Sequence, residues 1–96
     1  MASPNSFAQL VRDFLAWLRV EGGLSPATIS AYGSDLRDLG EDLRSNGITD
    51  LNLVGPRDLA SHVQTLHRER GMQPSSIARH LSTIRMFFKY LEAERR

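Results

Sequence analysis

Residues 71–91 read GMQPSSIARHLSTIRMFFKYL, and the fold is decided in this stretch. Pro74 suits the first turn of a helix, where its missing N–H costs nothing. Behind it Ile77, Leu81, Ile84, Phe88 and Leu91 step by 4, 3, 4 and 3, which predicts an amphipathic helix from Pro74 to about Ala93. The opening of the stretch occurs twice in the chain. Gly71-Met72-Gln73-Pro74-Ser75-Ser76-Ile77 repeats the pattern of Gly23-Leu24-Ser25-Pro26-Ala27-Thr28-Ile29. The earlier copy starts a helix carried by Ile29, Tyr32, Leu36, Leu39 and Leu43, with Ser25 as N-cap, stopping near Asn46-Gly47. Two helix starts of matching chemistry suggest one shared task, and a helix N-terminus favours anions. A generic grammar of helix starts would also produce the match.

Working outward, Phe7, Val11, Phe14 and Leu18 step by 4, 3 and 4, with Leu10, Leu15 and Trp17 widening the stripe. This predicts a first helix from Ser6 to just before Gly22-Gly23. Residues 48–54 read as an ordered connection, and Gly55-Pro56 starts a third helix on Leu59, Val63 and Leu66 that closes around Gly71. No segment sustains a period-2 alternation. The expected fold is therefore all-α: a compact four-helix bundle. A chain of 96 residues has room for one domain, expected over residues 6–93 between a flexible tail at 1–5 and the start of a linker at 94–96.

There is no cysteine, so disulfides and thiolate metal sites are excluded; the composition is compatible with the expected cytoplasmic location. No apolar run approaches the ~20 residues that span a bilayer. The net charge of +1 hides an asymmetry: residues 1–71 sum to −2 and residues 72–96 to +3. A neutral body with a basic last helix suits a phosphate-bearing partner, although a solvated terminal helix would show the same charge.

At about 100° per residue, the core face of the last helix centres on Ile77, Leu81 and Ile84. Ser75, Arg79, Ser82, Thr83, Met86, Lys89 and Tyr90 then face outward, with Arg85 on the flank and no acid before Glu92. The same projection of the second helix puts Ala27, Ser30, Ala31, Ser34 and Arg37 outward, with Thr28 to one side. A helix presenting Arg, Lys, Ser and Thr can enter a major groove, so the residues favour a nucleic-acid-binding bundle. They specify no reaction.

The motifs Leu24-Ser25-Pro26-x-Thr28-x3-Tyr32-x3-Leu36 and Ser76-Ile77-x-Arg79-x-Leu81-Ser82-x-Ile84-Arg85-x-Phe87-Phe88-x-Tyr90-Leu91 resemble the N-terminal core-binding (SAM-like) domain of tyrosine recombinases, most closely the bacterial Xer group. The resemblance implies one half of a clamp around duplex DNA, with a C-terminal catalytic domain as the other half. It implies DNA contacts by Thr28, Ser30 and Ala31 from the second helix, and by Ser75, Ser76, Arg79, Ser82, Arg85 and Lys89 from the fourth. It also implies contacts between recombinase protomers in a tetramer, and a role in chromosome dimer resolution. His80 departs from the basic side chain usual at its place and projects near the core edge. Ser30 and Ala31 are smaller than usual there.

The family's tyrosine nucleophile belongs to the catalytic domain, and Tyr32 and Tyr90 lie outside that motif context. The domain itself is expected not to be an enzyme and to need no cofactor, metal, membrane or small-molecule substrate. His62 and His67, about 140° apart on a helix, cannot share a metal from one face. Asp35, Asp38 and Asp42 line one helical edge and read as a solvated face. Two other readings remain at this point: a protein-interaction module with Met86, Tyr90 and Trp17 as its patch, and the equivalent domain of a phage or transposon integrase.

Overall fold

The helix starts and the turns between helices rest on residues whose local chemistry favours those roles. In the computed structural model, which describes residues 6–94, α1 spans Phe7–Glu21, α2 Pro26–Ser45, α3 Pro56–Arg68 and α4 Pro74–Glu94, with a short 3-10 turn at Leu51–Leu53. The expected tail at 1–5 and residues 95 and 96 of the expected linker lie outside the described residues. Ser6 and Ser25 cap α1 and α2: their hydroxyl oxygens accept from the backbone N–H of Gln9 and Thr28, each at 3.2 Å. At α3 the Asp58 carboxylate accepts from the Gly55 N–H at 2.8 Å.

The turns between helices explain the first residue of the repeated motif. Gly23 and Gly71 have φ of 62° and 60°, in the left-handed region where a side chain is disfavoured. The glycine ends one helical arm and the proline three residues later opens the next. The third helix accordingly ends at Arg68, three residues before Gly71, rather than around it.

The core is assembled by α1, α2 and α4. Leu10, Phe14 and Leu18 meet Leu36, Leu39 and Leu43 and, from α4, Ile84, Phe87, Tyr90 and Leu91. Phe14 lies at its centre, with ring centroids 5.4 Å from both Phe87 and Tyr90. Gly40 lets α1 approach α2: a Cβ there would sit 2.6 Å from the Phe7 ring, whereas one on Gly33 would meet only the end of the Leu15 side chain, at 3.2 Å from Cδ1. Among the described residues no helix is long and apolar enough to cross a membrane.

The buried face of α4 differs from the projection. His80, Thr83, Ile84, Phe87, Tyr90 and Leu91 are buried, whereas Ile77 and Leu81 are half-buried. The arc is turned by roughly 80° from the apolar stripe. The physical reason is that α4 packs against all three other helices, so its buried arc is wide and includes polar side chains. Thr83 and Tyr90, expected to face outward, are therefore interior.

Candidate nucleic-acid interface

On α4, Ser75, Arg79, Ser82, Met86 and Lys89 follow one another at helical spacing along one side, all exposed except the half-buried Met86. Arg85 is exposed on the flank. With Lys89, Ser82 and the apolar Val54, Leu59, Met86 and Phe88, it borders a cavity of about 500 Å³ between α4 and the segment leading into α3. Ser76 is half-buried. On α2, Ser30 is exposed while Thr28 and Ala31 are half-buried, and the Thr28 hydroxyl lies 3.0 Å from that of Ser25. The backbone is the same in both copies, the Ser25 carbonyl accepting the Ile29 N–H and the Gln73 carbonyl the Ile77 N–H, each at 3.0 Å. The copies differ in the side chain before the proline, a hydroxyl at Ser25 and an amide at Gln73.

Behind the outer face of α4 runs a polar chain that local spacing did not announce. Asp35, expected on a solvated edge of α2, is only 1% exposed. Its carboxylate accepts from Arg79 Nη2 at 2.6 Å and Arg79 Nε at 3.1 Å. The Thr83 hydroxyl lies 3.0 Å from Asp35 Oδ2 and 3.1 Å from the Arg79 carbonyl, so its single proton is shared between them. His80, fully buried, places Nδ1 3.4 Å from Asp35 Oδ1 and Nε2 2.8 Å from His62 Nε2. His62 Nδ1 lies 2.8 Å from Asp42 Oδ2. A second link binds the end of α3 to α2: Arg70 pairs with Asp38 at 2.6 Å and with Glu41 at 3.5 Å.

The Asp42 carboxylate accepts from His62 Nδ1–H, the two facing Nε2 atoms share one hydrogen, and His80 Nδ1 faces the Asp35 carboxylate without a hydrogen-bond partner. Burial pushes the His80 pKa below its ordinary value, outweighing the attraction of Asp35. His80 is thus neutral near pH 7 and is an interior side chain, not a cation of the surface. Arg79 is pushed the other way, chiefly by its hydrogen bonds to Asp35 and despite partial burial.

The signal that could have exposed this chain is polar residues at core spacing on three helices at once. Asp35 adjoins Leu36 and Leu39; His62 falls between Leu59 and Leu66; His80 and Thr83 precede Ile84 and Phe87. Read singly, none of them announces a buried partner on another helix. The interaction patch expected of Met86, Tyr90 and Trp17 also changes. Tyr90 is 8% exposed, packed between Phe14 and Trp17, and the exposed apolar pair on α1 is Trp17 at 44% and Val20 at 76%. Among the described residues, no group of three or more His, Asp or Glu side chains is placed to hold a metal ion.

Comparison with known proteins gives this arrangement its context. The family model described as "Phage integrase, N-terminal SAM-like domain" matches residues 11–95. The chain is 39% identical over 83 residues, or 85% of its length, to tyrosine recombinase XerD of Listeria monocytogenes. It is 30% identical over 90 residues, or 94% of its length, to tyrosine recombinase XerC of Oceanobacillus iheyensis. Against tyrosine recombinase XerD of Rhizobium meliloti the identity is 39% over 87 residues, or 91% of the chain. The chain spans 28%, 29% and 27% of the lengths of these relatives. No solved structure matches it significantly. An all-α four-helix fold and a match over nearly its whole length place the chain in the phage integrase N-terminal SAM-like domain family, as a domain of the kind carried by Xer tyrosine recombinases.

Proposed function

We propose that this domain binds duplex DNA at a recombination half-site and positions the catalytic part of a Xer-like tyrosine recombinase there for strand exchange, in chromosome dimer resolution. The observation that carries the reading is the outer side of α4. Arg79, Arg85 and Lys89 alternate there with the small hydroxyls of Ser75 and Ser82, without an acid before Glu92. Such a face suits a polyanion: the cations neutralise phosphates and the short side chains allow close approach. Thr28, Ser30 and Ala31 on α2, with Ser76 at the start of α4, extend the face with small groups and make it a supporting surface rather than a second source of charge. The cutting and rejoining of strands belongs, in this reading, to the remainder of a recombinase of which this chain corresponds to less than a third.

The test is titration of a short duplex at several salt concentrations with the wild-type domain and an Arg85→Ala, Lys89→Ala variant. Both side chains are exposed, so the substitutions leave the core alone. We expect weaker binding and a log K against log salt slope shallower by about 2. Equal affinity and slope would overturn the reading.

A second reading is supported by Trp17 and Val20, whose exposure on α1 marks a surface for another recombinase protomer. Salt-independent self-association that is lost on Val20→Asp, without affinity for duplex, would favour it. The domain of a phage or transposon integrase would use the same face, and the sequence of the bound half-site separates that role from the chromosomal one.

A further inference from the structure

We propose that Asp35 is a positioning residue for DNA binding: it holds the Arg79 guanidinium by its side-on edge and presents the end-on edge to a backbone phosphate of the duplex. The inference rests on the DNA-binding reading above and adds the residue that orients its first arginine.

The geometry is asymmetric. Asp35 engages Nε and Nη2, at 3.1 and 2.6 Å, which is the side-on mode of a guanidinium–carboxylate pair. That mode uses two of the five N–H donors and leaves the end-on fork of Nη1 and Nη2 unoccupied. Burial is divided in the same sense: the Asp35 side chain is 2% exposed and the Arg79 side chain 46%. The carboxylate is itself fixed from behind by the Thr83 hydroxyl at 3.0 Å. Arg79 therefore does not leave Asp35 to reach a phosphate, since a buried carboxylate stripped of its cation is strongly unfavourable. It reaches outward while held, with its long side chain already ordered.

Charge alone and positioning give opposite signs for one substitution. Asp35→Asn removes a negative charge behind a DNA-facing cation, so simple Coulomb attraction makes the duplex bind more tightly. Positioning makes it bind more weakly, because Arg79 must then be ordered at the moment of binding. The ordering cost of one long side chain corresponds to a loss of about twofold to tenfold. Arg79→Lys keeps the charge but cannot be held by one edge while offering a fork with the other, and the same loss is expected.

The experiment titrates a short mixed-sequence duplex with wild type, Asp35→Asn, Arg79→Lys, Arg79→Ala and the Asp35→Asn, Arg79→Ala pair, each shown by circular dichroism to be helical and folded at the working temperature. The Arg79→Lys variant keeps Asp35 and tests the proposal even where Asp35→Asn fails to fold. The expected result is weaker binding by Asp35→Asn and Arg79→Lys. In addition, Asp35→Asn should cause no further weakening once Arg79 is alanine, a non-additivity that a merely structural role would not produce. Tighter or unchanged binding by a folded Asp35→Asn variant, or unchanged binding by Arg79→Lys, overturns the proposal. If the wild-type domain shows no salt-dependent affinity, or Arg85→Ala, Lys89→Ala has no effect, it is the DNA-binding reading that fails.

Discussion

Replacing Thr83 by valine isolates a single hydroxyl in the interior of the domain. Thr83 is 0% exposed, and its O–H lies 3.0 Å from a carboxylate oxygen of Asp35. Valine fills nearly the same volume, so no cavity term enters and the change removes a donor from a buried charged acceptor. A hydrogen bond to a charged group contributes about 1.5–3 kcal/mol. Asp35 Oδ2 keeps its bond from Arg79 Nε at 3.1 Å, and the hydroxyl proton is shared with the Arg79 carbonyl. Both facts place the loss at the lower end, about 1.5 kcal/mol. For a domain of this size that lowers Tm by about 6–12 °C. Urea denaturation followed by circular dichroism should show a lower midpoint at an unchanged m value. In an Asp35→Ala background the hydroxyl has lost its charged acceptor and keeps only the Arg79 carbonyl, so Thr83→Val should then cost clearly less than in the wild type. A surface threonine, as the apolar stripe of α4 would have it, changes stability by less than about 0.5 kcal/mol on becoming valine. A change that small in the wild-type background would refute the buried polar chain.

Three further outcomes are expected. Phe87→Ala, which empties a fully buried site against Phe14 and Phe7, should cost about 3–5 kcal/mol in urea titration, and a loss below 1 kcal/mol would contradict the aromatic core. Gly33→Ala and Gly40→Ala should differ in sign in thermal melts. The first meets only the mobile end of Leu15 and gains about 1 kcal/mol of helix propensity, whereas the second drives the Phe7 ring from its place against Phe87. Stability should also fall as pH drops below about 6.5. His80 has its pKa lowered by burial, so the unfolded chain binds the proton more readily than the folded one, and the stability present above the unfolded pKa is lost on acidification through the folded one. The groups facing His80 are Asp35 and Asp38 of α2, His62 of α3 and Arg79 of α4. His80→Gln should flatten the stability profile between pH 7 and pH 5, and an unaltered slope would assign the dependence elsewhere.

The helices and turns were legible because their signals are local. Ser25-Pro26 and Gly55-Pro56 start helices through their own backbone chemistry, and Gly23 and Gly71 stop them through theirs. The exposed Ser75, Arg79, Ser82, Arg85 and Lys89 were legible for the same reason, since an acid-free run at helical spacing needs no knowledge of the rest of the chain. The pairing of Arg79 was not legible. Its partner Asp35 lies 44 residues away, and nothing in either helix alone says that the two meet. The buried arc of α4 was misplaced because an apolar projection counts Thr83 as surface and His80 as the edge of the core, and both become interior only when partners on other helices satisfy them. Tyr90 was misplaced in the same direction: projected onto the outer face, it is enclosed by Phe14 and Trp17 of α1.

The four helices are not held in the same manner. The apolar core belongs to α1, α2 and α4, while α3 supplies two buried side chains, Leu66 and His62, and is tethered by the Asp42–His62–His80 chain and by Arg70. The domain is in this sense a hydrophobic trimer of helices with a fourth attached largely by directional bonds. Directional bonds break one at a time, and water can replace them, whereas the shared core yields only as a whole. In native-state hydrogen exchange, the amides of α3 should form their own cooperative unit, opening at lower free energy than those around Phe14 and Phe87.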